Sequence, residues 1–543
     1  MNKLLTLLLS CLLFNSAASK AVYIKESNPV KASGVYCPNP PTDSIPKREN
    51  INGNDVIPIL SFPGITQVDF KDAFDVLDEC LVMDPGFGFK YPFIAPGGHY
   101  GQCWWQLDGS ISMNATKWSN QKFSENMVRG FIGVQKPDGR IPLYGYDKVP
   151  NFPTCSSLPK FFQSAYNVLK HTDDKELITA TYNSLKLYLN WWLSDARRDK
   201  ETGLITGVFE ESFPPFENRL KAVSQVDLNV EVVAGCHDLA LLAGQLDLNE
   251  DFKKFNELEK ELKHSINTYM WDDNTGAFYA YLIHEKKRDD KLICYTFDPF
   301  RHQTATPEKI QKMLRMLTDN RYFNWEGNAI TSVAKTDKIY VETVGDYNGN
   351  PSWSGDIWTL RNEAVIKGLE DIGRYDLASE LALKTVRMFN SNYTEFLKTS
   401  DASGQGVKRY AWSAAQYIQI LIENIFGVDY NRFTKTITIK PNLNALEDGN
   451  IALEKLLLPN GSRLNLYISK KSGSVNVKYK LTGKANDMNI VVALPMNGKA
   501  IQSITDGQNK SLKFVKVSQN TANTYQVNHG KKNMGEFNFI SEI

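Results

Sequence analysis

Between about Phe70 and Phe426 the apolar residues recur at steps of three and four. Ile178, Tyr182, Leu185, Leu189 and Trp192 form one such stripe, and Leu228, Val232, Cys236, Leu239, Ala243 and Leu246 form another. A stripe of that period marks a helix that buries one face. Similar patterns near residues 69–82, 118–135, 157–171, 250–270, 307–318, 357–373, 375–391 and 410–426 predict roughly ten to twelve helices joined by loops rich in Gly, Pro, Asp and Asn. Four of the loops, 136–156, 200–225, 320–356 and 392–409, are long for connectors and hold many Trp, Glu, Asp and Pro residues. Long ordered loops on a helical scaffold are where binding and catalysis tend to sit.

After about Gly427 the period changes to two. Ile437 and Ile439, then Leu464, Leu466 and Ile468, then Val475, Val477 and Tyr479, then Ile490, Val492 and Leu494 alternate between turn signals such as Asn460-Gly461 and Asp506-Gly507. This predicts an antiparallel β-sandwich over 427–543 behind a helical domain over 69–426. Residues 19–68, rich in Pro and Asn, are expected to be a wrapping arm. Lys3, the apolar run 4–14 and the small residues Ser16, Ala17 and Ala18 have the three-part layout of an export signal over 1–18, which predicts a secreted or periplasmic protein. Leu9-Ser10-Cys11 offers lipid anchoring as the alternative. No other stretch is long and apolar enough for a membrane span.

The chain has 543 residues, and 62 Lys+Arg against 61 Asp+Glu leave a net charge of +1. That balance removes the electrostatic drive for binding nucleic acid or an anionic membrane. Without the signal, six cysteines remain: Cys37, Cys80, Cys103, Cys155, Cys236 and Cys294. Some pairing is expected in an oxidising compartment, with Cys236, on a helical apolar face, as the free thiol. No spacing of Cys or His resembles a metal site, and Asp272-Asp273-Asn274-Thr275-Gly276 reads as a turn between a helix and a strand.

Candidate chemistry lies in the long loops. Gly207-Val208-Phe209-Glu210-Glu211-Ser212-Phe213 sets two adjacent acids among aromatic residues. An apolar surrounding and a neighbouring negative charge both raise a carboxyl pKa, which makes a general acid available near neutral pH. The same pair also fits an exposed loop with two solvated glutamates. Glu395, in Asn392-Tyr393-Thr394-Glu395-Phe396, precedes a Gly-bearing loop and the small-residue helix start Trp412-Ser413-Ala414-Ala415. Two aromatic clusters, Trp104-Trp105-Gln106-Leu107-Asp108 and Trp353-Ser354-Gly355-Asp356-Ile357-Trp358, suit either a sugar or a helical core. An indole stacks on the apolar face of a pyranose while a carboxylate accepts from its hydroxyls.

Taken in order, these motifs resemble the six-hairpin, (α/α)6-barrel glycosidases, especially the mannosyl-oligosaccharide glucosidase and mannosylglycerate hydrolase group, with trehalases and glucoamylases more distant. The resemblance spans roughly 70–426. It rests on the loose Trp-Asp element at 104–108, Gln135-Lys136-Pro137-Asp138-Gly139-Arg140-Ile141-Pro142, the acid loop at 209–212, Val226-Asp227-Leu228, the Trp-x-Gly-x-Ile-Trp element at 353–358, and Glu395 followed by Trp412-Ser413-Ala414-Ala415. The acid position has Glu-Glu where near relatives have Asp, and Leu107 stands where they have Trp.

The resemblance implies an (α/α)6 toroid and an inverting, exo-acting hydrolase of an α-linked oligosaccharide, α-glucoside or α-mannoside, with no cofactor. Glu210 would be the general acid, with Glu211 as the alternative, and Glu395 the general base, about 6.5–9.5 Å from the acid. Asp108, Asp356 and Trp358 would bind the reacting sugar, with Trp104, Trp105, Trp353, Arg219 and Trp412 beside them. The alternatives are a sugar-binding protein without turnover and a polysaccharide lyase on the same toroid. Oligomeric state is not legible.

Overall fold

The computed structural model describes residues 56–541 apart from 85, 146–154, 213–221, 343–353, 485–486, 499 and 521. The expected signal, nearly all of the arm, Cys37, Arg219 and Trp353 lie outside the described residues. No helix among the described residues is long and apolar enough to cross a membrane.

Helices dominate as far as Phe426. They are α1 (Gln67–Glu79), α2 (Gln106–Thr116), α3 (Gln121–Gly133), α4 (Phe161–Leu169), α5 (Lys175–Trp192), α6 (Val226–Gln245), α7 (Asn249–Ser265), α8 (Pro307–Thr318), α9 (Asn320–Phe323), α10 (Thr359–Asp371), α11 (Tyr375–Phe389) and α12 (Ala411–Gln419), with a 3-10 segment at Cys294–Gln303. Local chemistry sets several boundaries. Thr66 and Asp69 close a capping box on α1, and the side chain of Asp174 accepts from the N–H of Leu177 at the start of α5. The pattern expected as one helix over 118–135 begins instead at 121, because Asn120 caps Phe123.

The expected stripe of α5 is buried, whereas α6 is buried on almost every side. A helix buried all round belongs at the centre of a domain. The packing order shows how. α2 packs on α4, α4 on α6, α6 on the 3-10 segment, that segment on α10, α10 on α12, and α12 back on α2. Six inner elements therefore close a ring. α7 lies against α6, α11 against α10, and α1 against α12, outside it.

From Val428 onward the chain is β. With β1 (Ile59–Ser61), the strands are β2 (Val428–Asn431), β3 (Thr436–Ile439), β4 (Gly449–Leu457), β5 (Arg463–Lys471), β6 (Ser474–Thr482), β7 (Asn489–Asn497), β8 (Ile501–Asp506), β9 (Val515–Gln519), β10 (Ala522–Gly530) and β11 (Met534–Ser541). One sheet has the order β1-β4-β5-β6-β11-β8, the other β2-β3-β7-β10-β9. In the first, Leu466 faces Tyr479, Ile468 faces Val477, and Val477 faces Phe537, so the period-two residues share a buried face. Two features depart from the expected purely antiparallel domain and separate arm. β3 pairs with β7 in parallel, and the end of the arm supplies β1 as an edge strand on β4.

The expected cysteine pairing is also corrected. Cys80, Cys103, Cys155, Cys236 and Cys294 are all buried, and no two of them are joined in a disulfide. Cys236 and Cys294 pack as small apolar side chains in the main core. The segment 272–276 is a turn, but it joins two short strands, Trp271–Asp272 and Ala277–Phe278.

Helices and sheets meet at Gly427, whose φ is +67°. A Cβ there would run into the carbonyl group of Lys440. Gly427→Ala is expected to destabilise the protein by about 3 kcal/mol, read as a lower urea midpoint at unchanged slope. A change under about 0.5 kcal/mol would show that the junction relaxes freely.

Candidate active site

The candidate residues gather where the inner helices begin. The residue just before the first turn is Trp105 for α2, Lys160 for α4, Gln225 for α6, Trp358 for α10 and Tyr410 for α12. Bonds between these starts show that they lie at one end of the ring. Tyr410 on α12 donates to Asp108 on α2 at 2.9 Å, and Arg361 on α10 pairs with Asp227 on α6 at 2.6 Å. The N–H of Ser157, ahead of α4, donates to Gln106 on α2 at 3.1 Å. Helix N-termini carry partial positive charge, so this end is suited to acids.

Glu395 is buried, and both its oxygens have donors. Tyr100 Oη donates to Oε1 at 2.8 Å, and the N–H of Val407 donates to Oε2 at 3.0 Å. A short ribbon of Phe396–Leu397 with Gly404–Gln405 folds the loop back on itself. Gly406, at φ +68°, makes that fold possible, since a Cβ would sit 2.5 Å from Glu395 Oε2.

Asp108 stands in the first turn of α2, also buried. Burial pushes its carboxyl up to about 7; the Tyr410 hydroxyl pulls it back, and the charges of Glu395 and Glu210 add to the rise. Two carboxylates from separate loops thus act on a third. Glu210 itself is half-buried at φ +76°, a backbone conformation that non-glycine residues seldom adopt, and its carbonyl accepts from the N–H of Leu158 at 2.8 Å.

Glu211, the alternative acid, is held differently from Glu210. It is fully buried, pairs with Arg197, and accepts from the N–H groups of Ser156 and Val208. Trp104 stacks on Phe89, meets Phe131 edge-on, and its Nε1 donates to the carbonyl of Phe87. Trp105 is placed differently, stacked on Tyr144 and edge-on to Tyr100, the residue that holds Glu395. Trp358 stacks on Phe396, next to Glu395, and meets Trp412 edge-on; Trp412 meets Tyr410. Asp356 is fully buried just ahead of Trp358, its carbonyl accepting from the N–H of Ser332.

Tyr100 and Tyr410 went unmarked in the sequence reading. Their only local signals are the glycines at 97, 98 and 101 around Tyr100 and the position of Tyr410 immediately before a helix. Among the described residues no group of three or more His, Cys, Asp or Glu side chains is arranged to hold a metal ion. A cavity of about 340 Å³ lies in the β part, lined by Lys470, Leu494 and Phe539 among others, and none of the candidate residues reaches it.

Residues 215–413 match the family model of the mannosylglycerate hydrolase MGH1-like glycoside hydrolase domain. The chain is similar to the six-hairpin glycosidases. Human trehalase is 25% identical, over 52% of this chain and 55% of that protein, and an uncharacterized protein of Borreliella burgdorferi is 24% identical, over 55% of this chain and 65% of that one. The chain therefore spans less than two thirds of the curated relatives it matches. The solved GH63 mannosylglycerate hydrolase from Thermus thermophilus, in complex with glucose, is 17% identical with a TM-score of 0.54, covering 64% of this chain and 98% of that one. This last likeness speaks to the fold alone. The glycoside hydrolase match takes in Asp356, Trp358, Glu395 and Trp412 and begins after Glu210 and Glu211.

Asp108 gives a test of the site's electrostatics. The folded protein keeps its proton up to about pH 7, whereas an unfolded chain releases it near pH 4. The folded state binds more protons in that window, so this group's contribution to stability is lost as pH rises from about 4 to about 7. Asp108→Asn still accepts from Tyr410 but cannot ionise. Its melting temperature relative to the unaltered protein should rise between about pH 5 and about pH 8; a constant difference would mean that Asp108 is not held protonated.

Proposed function

We propose that the chain is an exported, inverting glycoside hydrolase that trims an α-linked oligosaccharide from one end, with α-glucosides and α-mannosides as the first substrates to test. The observation that carries this reading is that Glu395 and Asp108 are held in one site by Tyr100 and Tyr410, whose hydroxyls donate to them and whose rings meet with centres 5.9 Å apart. Two acids far apart in the sequence come to one site, among aromatic rings, at the start of the inner helices. The closed ring of six inner elements supports reading the helical part as an (α/α)6 toroid, and the two sheets support a β-sandwich behind it. Export rests on the pattern of residues 3–18.

In the proposed reaction Glu395 takes a proton from a water molecule, whose oxygen attacks the anomeric carbon. The glycosidic bond breaks on the opposite face, and its oxygen leaves with a proton from the general acid, giving a free sugar and an alcohol. Tyr100 and the Val407 N–H occupy part of the Glu395 carboxylate and orient it, leaving lone pairs for the water. Asp108, Asp356 and Trp358 hold the reacting sugar.

Glu210 is the first candidate for the acid, its charge being one of those that raise the Asp108 carboxyl. Glu217 is the second candidate. It lies outside the described residues, but the family match that begins at 215 includes it and leaves Glu210 out.

Sugar release from a panel of disaccharides and aryl glycosides is the test. The unaltered protein should hydrolyse at least one α-glycoside, and Glu395→Gln should lose about 10²–10⁴-fold in kcat with ligand affinity retained. Of Glu210→Gln and Glu217→Gln, the variant rescued by substrates with good leaving groups marks the acid. Binding without release across the panel would favour a sugar-binding protein, and an unsaturated product absorbing in the near ultraviolet would favour a lyase.

A further inference from the structure

Glu211 is anchored at every oxygen. Oε1 accepts from the N–H of Ser156 at 2.8 Å; Oε2 accepts from the N–H of Val208 at 2.9 Å and pairs with Arg197. Arg197 is fixed in turn, its guanidinium 4.2 Å from the centre of the Trp191 ring and its carbonyl accepting from the N–H of Thr206 at 2.8 Å. At Gly207 a Cβ would meet the Leu228 side chain at 2.6 Å and Glu211 Oε2 at 3.3 Å, so the loop closes tightly over the pair.

The same segment that holds Glu211 also holds Glu210, through the N–H of Leu158. From there the connection runs on to Asp108. The N–H of Ser157 donates to Gln106 Oε1, two residues before Asp108 on α2, and the hydroxyl of Ser156 ties the same segment to the carbonyl of Ile141. Burying an ion pair is a poor way to gain stability, because apolar side chains of the same volume do as well or better. Its cost is explained if the pair holds a geometry, and the left-handed backbone at Glu210 is such a geometry.

We propose that Glu211 and Arg197 are positioning residues, whose ion pair locks loop 207–212 onto segment 155–158 and so sets where the acid carried by this loop stands relative to Asp108 and Glu395. The proposal rests on the reading that this loop carries the general acid. Arg197, Glu211 and Arg140 act with Glu210 on Cys155, and Glu395 acts with Glu210 on Asp108. The Cys155 thiol is pushed well up, first by burial and then by Glu211.

Steady-state kinetics and pH–rate profiles of the full chain, on whichever glycoside the unaltered protein hydrolyses, test this. Glu211→Gln cannot accept from two N–H groups and an arginine at once, so kcat should fall about 100-fold with KM within about threefold. It leaves the charge of Arg197 unbalanced, so the basic limb of kcat/KM should move to lower pH. Arg197→Met leaves the charge of Glu211 unbalanced and should move the limb to higher pH, and Arg197→Lys should recover most of kcat.

Limbs that stay in place, or that move the same way in both variants, would overturn the proposal, as would a loss confined to KM. If Glu211→Gln does not fold, the two Arg197 variants decide by the same criteria. An unaltered protein that hydrolyses nothing would overturn the functional reading and this proposal together, whereas an active one with unshifted variants overturns the proposal alone.

Discussion

Asp108 and Glu395 are carboxyl groups brought together from distant parts of the chain and nearly sealed from water, with the charge of Glu210 also felt at Asp108. Without compensation such a group would disrupt the fold or remain protonated throughout. The protein answers each acid differently. Glu395 has a tyrosine hydroxyl and a backbone N–H as donors; Asp108 has one tyrosine hydroxyl and is left with a raised pKa. Environments that push neighbouring acids apart in pKa are how a site comes to hold a base and a proton donor at the same pH.

That requirement accounts for much of the surrounding architecture. The inner helices start at the acids, so their N-terminal partial charges face the negative cluster. Further into the ring the charges are paired rather than concentrated. Arg361 joins Asp227 and Asp298; Lys160 and Arg301 converge on Glu231; Lys117 and Lys367 flank Glu423. Burial would raise the Glu423 carboxyl, yet the two lysines hold it well below the usual carboxylate range. Where no cation stands close enough, burial prevails, and Asp238 is pushed up to about 7. The interior of the ring therefore holds paired charges among its apolar packing, with Asp227, Glu231 and Glu423 each matched by a cation.

Periodicity revealed what periodicity can encode. The stripe of α5 and the alternation of β5, β6 and β7 matched the structure because each buries one face. α2 escaped because all of its residues are buried, which leaves no polar face to set a phase, and the motif read as a substrate loop is half helix. The parallel pairing of β3 with β7 joins strands some fifty residues apart, which no local pattern records. At the site, motif order located Glu395, Asp108 and Trp358. It named Glu210 ahead of Glu211 but could not show how each is held, because Arg197 and the N–H groups of Ser156 and Val208 meet Glu211 only once the loop is folded. Trp104 and Trp105 are adjacent in sequence and face opposite environments for the same reason.

The central claim is that Glu395 as base and an acid from residues 207–221 work from opposite faces of one sugar ring, with a single water between. Proton NMR of the first product formed from an α-glycoside, followed before mutarotation scrambles it, tests this most directly. The account predicts that the β-anomer is released first; release of the α-anomer would mean a retaining reaction through a covalent intermediate and would contradict it.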